Sequence, residues 1–338
     1  MNDRIPTSPP VIKPLLAGEV RPVWSVLIPT YNCIEWLRQT LESVLAQDPG
    51  PEKMQIEVVD DCSTDGDVEA CVREIGNGRV NFFRQEKNQG SLRNFETCLN
   101  RSKGHWIHLL HGDDLVLDGF YNEVEKLFTQ FPRAGAAFTR YAYIDEKNII
   151  TPPGKALRDE PGIIGDFLLQ IAQKQLLQAC CMVVKRSVYE HLGSFFAVHY
   201  GEDWEMWTRI AAHYPVAYSP SCRALYRGGQ GHSASITSHF LSTGQNIRDI
   251  TTVIGIMQNY LPREKRRSLK RIAFKNFSRA YAKASNRIYP HNPNAAFVQA
   301  NGALKMNIDI KTVYWVVKLY LLHFTRLIRH PSQTQQYD

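Results

Sequence analysis

Short apolar runs alternate with stretches of helical spacing over the first 140 residues or so of the chain. Val23–Ile28 (VWSVLI) reads as a buried strand. Pro29, opening Pro29-Thr30-Tyr31-Asn32, is expected to end it, because proline cannot donate to a central ladder. Asn32 then predicts an N-cap, and Ile34, Leu37, Leu41, Val44 and Leu45 recur at helical spacing to Gln47. Gln55–Val59, Val80–Phe83, His105–Leu110 and Gly135–Thr139 read as further strands. Helices are predicted after the acidic loop Asp60–Gly66, from Asn88-Gln89-Gly90 to Leu99, and over Leu117–Phe131. This alternation predicts an α/β fold: a mixed, mainly parallel sheet with helices on both faces. Such sheets bind ligands beyond the carboxyl ends of their strands, where three polar motifs stand here. No G-x-G-x-x-G follows the first strand, so dinucleotide binding is not supported.

Residues 1–22 hold five prolines and predict a loose tail. One domain is expected over 23–245, in halves 23–140 and 141–245, with a flexible connection at 145–162. Its second half predicts helices over Gly165–Gln173 and from Glu202, and a strand over Ala179–Val184. A basic helical extension is expected over 246–338.

Composition changes this picture little: 43% hydrophobic and 22% charged residues are ordinary for a globular chain. The net charge of +7 suits anionic partners such as phosphates, acidic lipid headgroups or nucleic acid. Seven cysteines, an odd number without a C-x-x-C pair, indicate neither a disulfide framework nor a zinc site, and point to a reducing compartment. The N-terminus lacks the apolar core of a signal peptide. The longest apolar stretch, Val313–Phe324, is interrupted by Lys318 and His323, so no membrane span is expected. A cytoplasmic protein is predicted.

Asp113-Asp114 follows a buried strand, and Asp60-Asp61 follows another. An Asp pair alone also suits a turn or a helix cap. Four converging carboxylates, however, would repel one another unless a cation sat between them. Mg²⁺ or Mn²⁺, hard cations with oxygen ligands, would answer that and offset charge on a leaving diphosphate.

WSVLIPTYN, EVVDDCSTDG, NQGSLRN and HLLHGDD, in this order, resemble family 2 glycosyltransferases of the GT-A fold, over about residues 23–235. The resemblance makes 23–245 the glycosyltransferase domain, with 23–140 the nucleotide-sugar half and 141–245 the acceptor half. It implies that Pro29 and Tyr31 flank the nucleotide base, Tyr31 offering a stacking face, and that Asp61 accepts from the base ring. Asp114 matches the metal ligand of the family's DXD-like pair, and Asp113 a contact to ribose or the metal shell. The family often has D-A-D-D; here His111-Gly112-Asp113-Asp114 lacks the upstream carboxylate. Arg93 matches a position near the nucleotide, where it pairs with phosphate or an acidic loop residue, or else is a solvated surface arginine. Tyr200–Trp207 resembles the family's "ED" element, with Asp203 as catalytic base. A carboxylate beside Trp204 and Trp207 would be partly desolvated and its pKa raised, as a general base needs. The alternative is that Glu202 and Asp203 complement a helix N-terminus. Tyr226-Arg227 followed by His232 resembles a segment whose histidine approaches the diphosphate or metal, with Gly228–Gly231 lengthening the loop into a lid.

The implied activity is inverting, non-processive hexosyl transfer from a nucleotide-diphosphate sugar to a glycan or lipid-linked acceptor, in cell-surface polysaccharide synthesis. Processive relatives carry Q-x-x-R-W and membrane spans, which are absent here. Acceptor specificity is expected around Leu177–Met182 and His199–Glu205. A sugar nucleotidyltransferase would need a glycine-rich loop after the first strand, where this chain has PTYNCIEW. A nucleic-acid-binding protein would use the basic tail, but aromatic platforms are not evident there. In that tail ten Lys and Arg fall between Arg263 and Arg287, and Val313, Trp315, Val316, Leu319, Tyr320 and Leu322 form an apolar stretch further on. Basic amphipathic helices on the anionic inner face of the plasma membrane are one reading. A helical extension packed on the catalytic domain, or an oligomer contact, is the other.

Overall fold

The computed structural model describes residues 4–16, 18, 20–228 and 236–329. The chain divides into two compact units, Met1–Ile171 with Gln175–Gly231, and Ala172–Lys174 with His232–Asp338. The first opens with β1 (Trp24–Thr30), α1 (Ile34–Leu45), β2 (Met54–Asp60), α2 (Val68–Gly76), β3 (Asn81–Arg84), α3 (Ser91–Arg101) and β4 (Trp106–Leu109). It continues through β5 (Leu115–Val116), α4 (Phe120–Gln130), β6 (Ala136–Ile144), β7 (Gly162–Ile163) and α5 (Phe167–Ile171). It closes with β8 (Met182–Lys185), α6 (Arg186–Leu192), α7 (Glu202–His213) and β9 (Val216–Arg227). The second unit holds α8 (Ile236–Thr243), α9 (Gln245–Met257), α10 (Arg263–Ile288), α11 (Pro293–Met306) and α12 (Ile310–Arg329). Its helices begin earlier than the predicted 246, because α8 belongs to it.

The described strands form one sheet in the order β3-β2-β1-β4-β8-β6-β9-β5, with β7 also on β9. From β3 to β4 every pairing is parallel. β8 runs antiparallel between β4 and β6, and β6 pairs parallel with β9. The order reverses at β1, between β2 and β4. A crevice therefore opens beyond the carboxyl ends of these strands, the usual ligand site of such sheets. β1 is buried along its whole length, as its unbroken apolar run predicts.

Three expectations are corrected. Pro29 does not end β1: it pairs opposite Val59, and its carbonyl accepts from Gly112 N–H. The donor it lacks falls on the β4 side, past Leu109 where β4 has stopped, so the ladder loses little. Asn32 does not cap α1. It sits at φ 49, with its side chain accepting from Thr64 N–H, and Asp65 instead accepts from Ile34 N–H at the helix start. The proline-rich segment is not loose over 4–16. Pro6 and Pro10 carbonyls accept from Ala197 and Ser194 N–H, Lys13 carbonyl accepts from Arg186, and Ile12 is fully buried. Prolines lack donors but keep acceptors, so an extended segment can still be pinned through its carbonyls.

Candidate active site

The carboxyl ends of β1, β2 and β4 stand side by side: Thr30 lies opposite Asp60, Asp61 N–H donates to Thr30, and Gly112 N–H donates to Pro29. Each acidic motif then finds its own partners. Asp60 is fully buried, accepts from Ser63 N–H and Oγ, and pairs with Arg84 at 2.5 Å. Asp61 accepts from Gln89 N–H (2.6 Å) and Gly90 N–H (2.8 Å), so both of its oxygens clasp the turn into α3. Burial raises its pKa, and those two donors oppose the rise. The four-carboxylate repulsion expected from the sequence is thus relieved at Asp60 and Asp61 by protein donors. Among the four, the Asp113-Asp114 turn is the one that keeps a carboxylate oxygen without a partner among the described residues.

That turn is held from three sides. Thr40 of α1 donates to the Asp114 carbonyl (2.8 Å), Arg227 N–H donates to Asp114 Oδ1 (2.8 Å), and Arg227 Nε donates to the Asp113 carbonyl (2.9 Å). The Arg227 guanidinium also donates to the Asp145 carbonyl, Asn148 and Gln39, and lies 4.1 Å from the Trp36 ring centre. Gly112 is required by packing, since a Cβ there would meet Cys33 Sγ at 2.9 Å and Thr30 Oγ1 at 3.0 Å. Asp114 Oδ2 remains: a fully buried carboxylate oxygen with no hydrogen-bond partner among the described residues. Burial, and then the Asp113 charge, push the Asp114 carboxyl well above the usual range. Ligand atoms of His111, Asp113 and Asp114 all lie within 4.8 Å of one another. An orphaned carboxylate oxygen beside a second carboxylate and an imidazole fits a divalent cation. His111 stacks on Phe95 (5.3 Å, 10° between planes), and burial lowers its pKa, which favours the neutral, ligating form. The sequence shows this histidine where the family often has a carboxylate. Imidazole is itself a metal ligand, so the signal was present though unused.

The predicted base lies at the start of α7, where Gly201 at φ 85 turns the chain into the helix. Asp203 Oδ1 accepts from Trp204 N–H (2.7 Å) and Oδ2 from Gln175 Nε2 (2.6 Å). Trp204 is fully buried and its indole donates to the Ile171 carbonyl. Burial raises the Asp203 pKa to about 6, against the pull of its donors. The neighbouring Glu205 has a structural role, fully buried and paired with Arg209 at 3.0 Å. Tyr226 of β9 ties the two acidic groups together. Burial pushes its phenol up, and Asp114, Asp113, Tyr200 and Asp203 push it further. Tyr200 rises to about 12 by burial, then by Asp203 and Glu202. The Asp113-Asp114 turn and Asp203 thus both act electrostatically on Tyr226, whose ring lies 5.8 Å from that of Tyr143.

The remaining predicted residues are placed as follows. Pro29 is buried within β1, and Tyr31, just beyond it, is 41% exposed. Arg93, on the first turn of α3, pairs with Glu96 at 2.8 Å. His232 and most of the glycine loop before it lie outside the described residues. Gln175 has no signal in the sequence, since nothing in its loop marks it as a partner of Asp203.

The family model for glycosyl transferase family 2 matches residues 25–193, half of the chain. The putative teichuronic acid biosynthesis glycosyltransferase TuaG of Bacillus subtilis is 32% identical over 96 residues, 28% of this chain and 37% of that protein. Staphylococcus aureus TarS 1–349, solved in complex with UDP-GlcNAc, is similar in fold at a TM-score of 0.58 and 15% identity, covering 93% of each chain. The mannosyltransferase PcManGT of Pyrobaculum calidifontis, solved with GDP-Man and Mn²⁺, matches at 0.56 and 17% identity, covering 98% of this chain and 87% of that one.

Proposed function

The chain belongs to glycosyl transferase family 2, and from that premise we propose that it moves a hexose from a nucleotide-diphosphate sugar to a glycan or lipid-linked acceptor, with inversion and one sugar at a time. The observation carrying this reading is the pair of acidic groups at the carboxyl end of the sheet and the start of α7: His111, Asp113 and Asp114 with ligand atoms within 4.8 Å of one another, and Asp203 held by Trp204 N–H and Gln175. The carbon that donates and the hydroxyl that attacks must meet between a diphosphate-binding end and a base.

Asp203 is the base. It takes the proton of the acceptor hydroxyl as that oxygen forms its bond to the anomeric carbon. The bond from this carbon to the diphosphate breaks on the opposite face, and the nucleoside diphosphate leaves with the electron pair. Attack and departure on opposite faces invert the centre. A pKa of about 6 leaves Asp203 ionised at neutral pH yet basic enough to accept the proton. Asp114, with Asp113 and His111, would hold Mn²⁺ or Mg²⁺, which when bound offsets charge on the leaving diphosphate. Tyr31 offers its exposed face to the base, and Asp61 keeps unused lone pairs for a base N–H beside its two backbone donors. Arg93 is the phosphate partner in this reading, exchanging Glu96 for the donor. TarS with UDP-GlcNAc and PcManGT with GDP-Man support a nucleotide-hexose donor, and TuaG supports a place in cell-surface polysaccharide synthesis. No described helix is long and apolar enough to cross a membrane. We place the transfer at the cytoplasmic face of the plasma membrane.

The test is a thermal-shift panel of nucleotide sugars with Mn²⁺, followed by donor hydrolysis. One donor should raise the melting midpoint. Asp114→Ala should remove that rise, and Asp203→Ala should keep it while hydrolysis falls at least about a hundred-fold. Full hydrolysis by Asp203→Ala refutes the base.

A further inference from the structure

The chain's charge is segregated. Residues 263–329 carry fifteen Lys and Arg against two acids, Glu264 and Asp309, and all other residues carry 25 against 31. Within this basic stretch, α12 has two apolar faces. Val316 and Leu319 are buried in the helical unit, and Thr312 is buried with them. The opposite face holds Ile310 (89% exposed), Val313, Tyr314, Val317 (50%), Leu321 (60%) and Phe324 (61%). At 3.6 residues per turn these six side chains share an arc of about 100°, an uninterrupted stripe along the helix. Exposed large apolar groups in such number make a patch of roughly several hundred Å², a size that marks an interaction surface.

The flank of the stripe identifies the occupant. Lys311 and Lys318 run along one edge, and α12 contains no Asp or Glu. Lys318 Nζ lies 5.1 Å from the Trp315 ring, and Lys283 of α10 lies 5.9 Å from the same ring, so the basic row of α10 adjoins this edge. Apolar stripe, basic border and absent acids match a leaflet with acyl chains below and anionic headgroups above. A second copy of the chain fits worse, because pairing two such faces brings lysine rows together with no acid on the helix to answer them.

We infer that α12 lies flat on an anionic phospholipid surface through Ile310, Val313, Tyr314, Val317, Leu321 and Phe324. This turns the general membrane reading of the helical unit into one face of one helix. It separates the outward residues from Val316 and Leu319, which the apolar stretch in the sequence does not do. It stands whether or not the chain transfers sugar.

The experiment is co-sedimentation of the full chain with vesicles of phosphatidylcholine alone and with about one third phosphatidylglycerol, at about 0.1 M salt. The chain should pellet with the anionic vesicles only. Val317→Glu with Leu321→Glu should lower that partition by at least about ten-fold, and so should Lys311→Glu with Lys318→Glu, which keeps the stripe. These positions are exposed, so circular dichroism melts should match the wild type, as should the donor-induced thermal shift. Undiminished binding by the stripe variant overturns the inference, as does equal binding to neutral vesicles. So does a wild-type dimer in sedimentation equilibrium that the stripe variant converts to a monomer. Asp114→Ala should pellet like the wild type, which keeps failure of the sugar-transfer reading apart from failure of this one.

Discussion

Replacing Gln175 by leucine should move the acidic limb of the rate profile. Gln175 donates to Asp203 Oδ2 at 2.6 Å, and this hydrogen bond favours the ionised carboxylate. Leucine is of similar size, so the change removes the donor with little loss of packing. A hydrogen bond to a charged group contributes about 1.5–3 kcal/mol. Asp203 is only partly buried, so water recovers part of this. The remainder corresponds to a rise of about one pKa unit, worth 1.36 kcal/mol. The Asp203 charge acts on the phenols of Tyr200 and Tyr226, on which Glu202, Tyr143, Asp113 and Asp114 also act. None of them is changed by the substitution. The sign follows from the proposed role of Asp203 as base. A general base must be ionised, so activity falls as pH falls through its pKa, which is about 6 in the wild type. In Gln175→Leu the fall should begin one unit higher. Hydrolysis should drop roughly five-fold at pH 6 and be nearly unchanged at pH 8.5. The assay is kcat/KM for donor hydrolysis from pH 5 to 9 at saturating Mn²⁺, with the donor's thermal shift as a binding control. A limb that stays in place, or moves to lower pH, refutes Gln175 as the group that sets the base.

Two further substitutions test the Asp113-Asp114 turn as the proposed metal site. His111→Asp replaces an imidazole nitrogen with oxygen, so the preference for Mn²⁺ over Mg²⁺, read by calorimetric titration, should narrow about ten-fold; an unchanged ratio removes His111 from the ligand set. Arg227→Lys keeps the charge but loses the planar fork that serves Asp113, Asp145, Asn148 and Gln39 and stacks on Trp36. Urea unfolding should show a loss of about 2–4 kcal/mol, and wild-type stability would mean the clamp is dispensable.

The sequence by itself determined the alternating strands and helices, because periodicity is a local property that each segment carries. It also placed Asp60-Asp61, Asp113-Asp114 and Tyr31 at strand ends, since a strand's end is marked by its own turn residues. It did not reveal the continuation of β1 through Pro29, which depends on where β4 stops. Nor did it reveal the pinned 4–16 segment, whose partners Arg186, Ser194 and Ala197 are remote in the chain. Which carboxylates are already answered by protein donors depends on the folded arrangement. Arg84 and the N–H groups of Gln89 and Gly90 take up Asp60 and Asp61, and among the described residues this leaves one unpartnered oxygen, on Asp114. The same holds for Arg227 on Asp114 and Gln175 on Asp203, both distant in sequence from the groups they serve. On α12, apolar residues occur nearly all round the helix, and only packing separates Val316 and Leu319 from the stripe left outside. A chain states which residues are polar or apolar. Which of them meet is fixed when the sheet closes, because a hydrogen bond or a buried contact requires proximity in space, which spacing along the sequence does not specify.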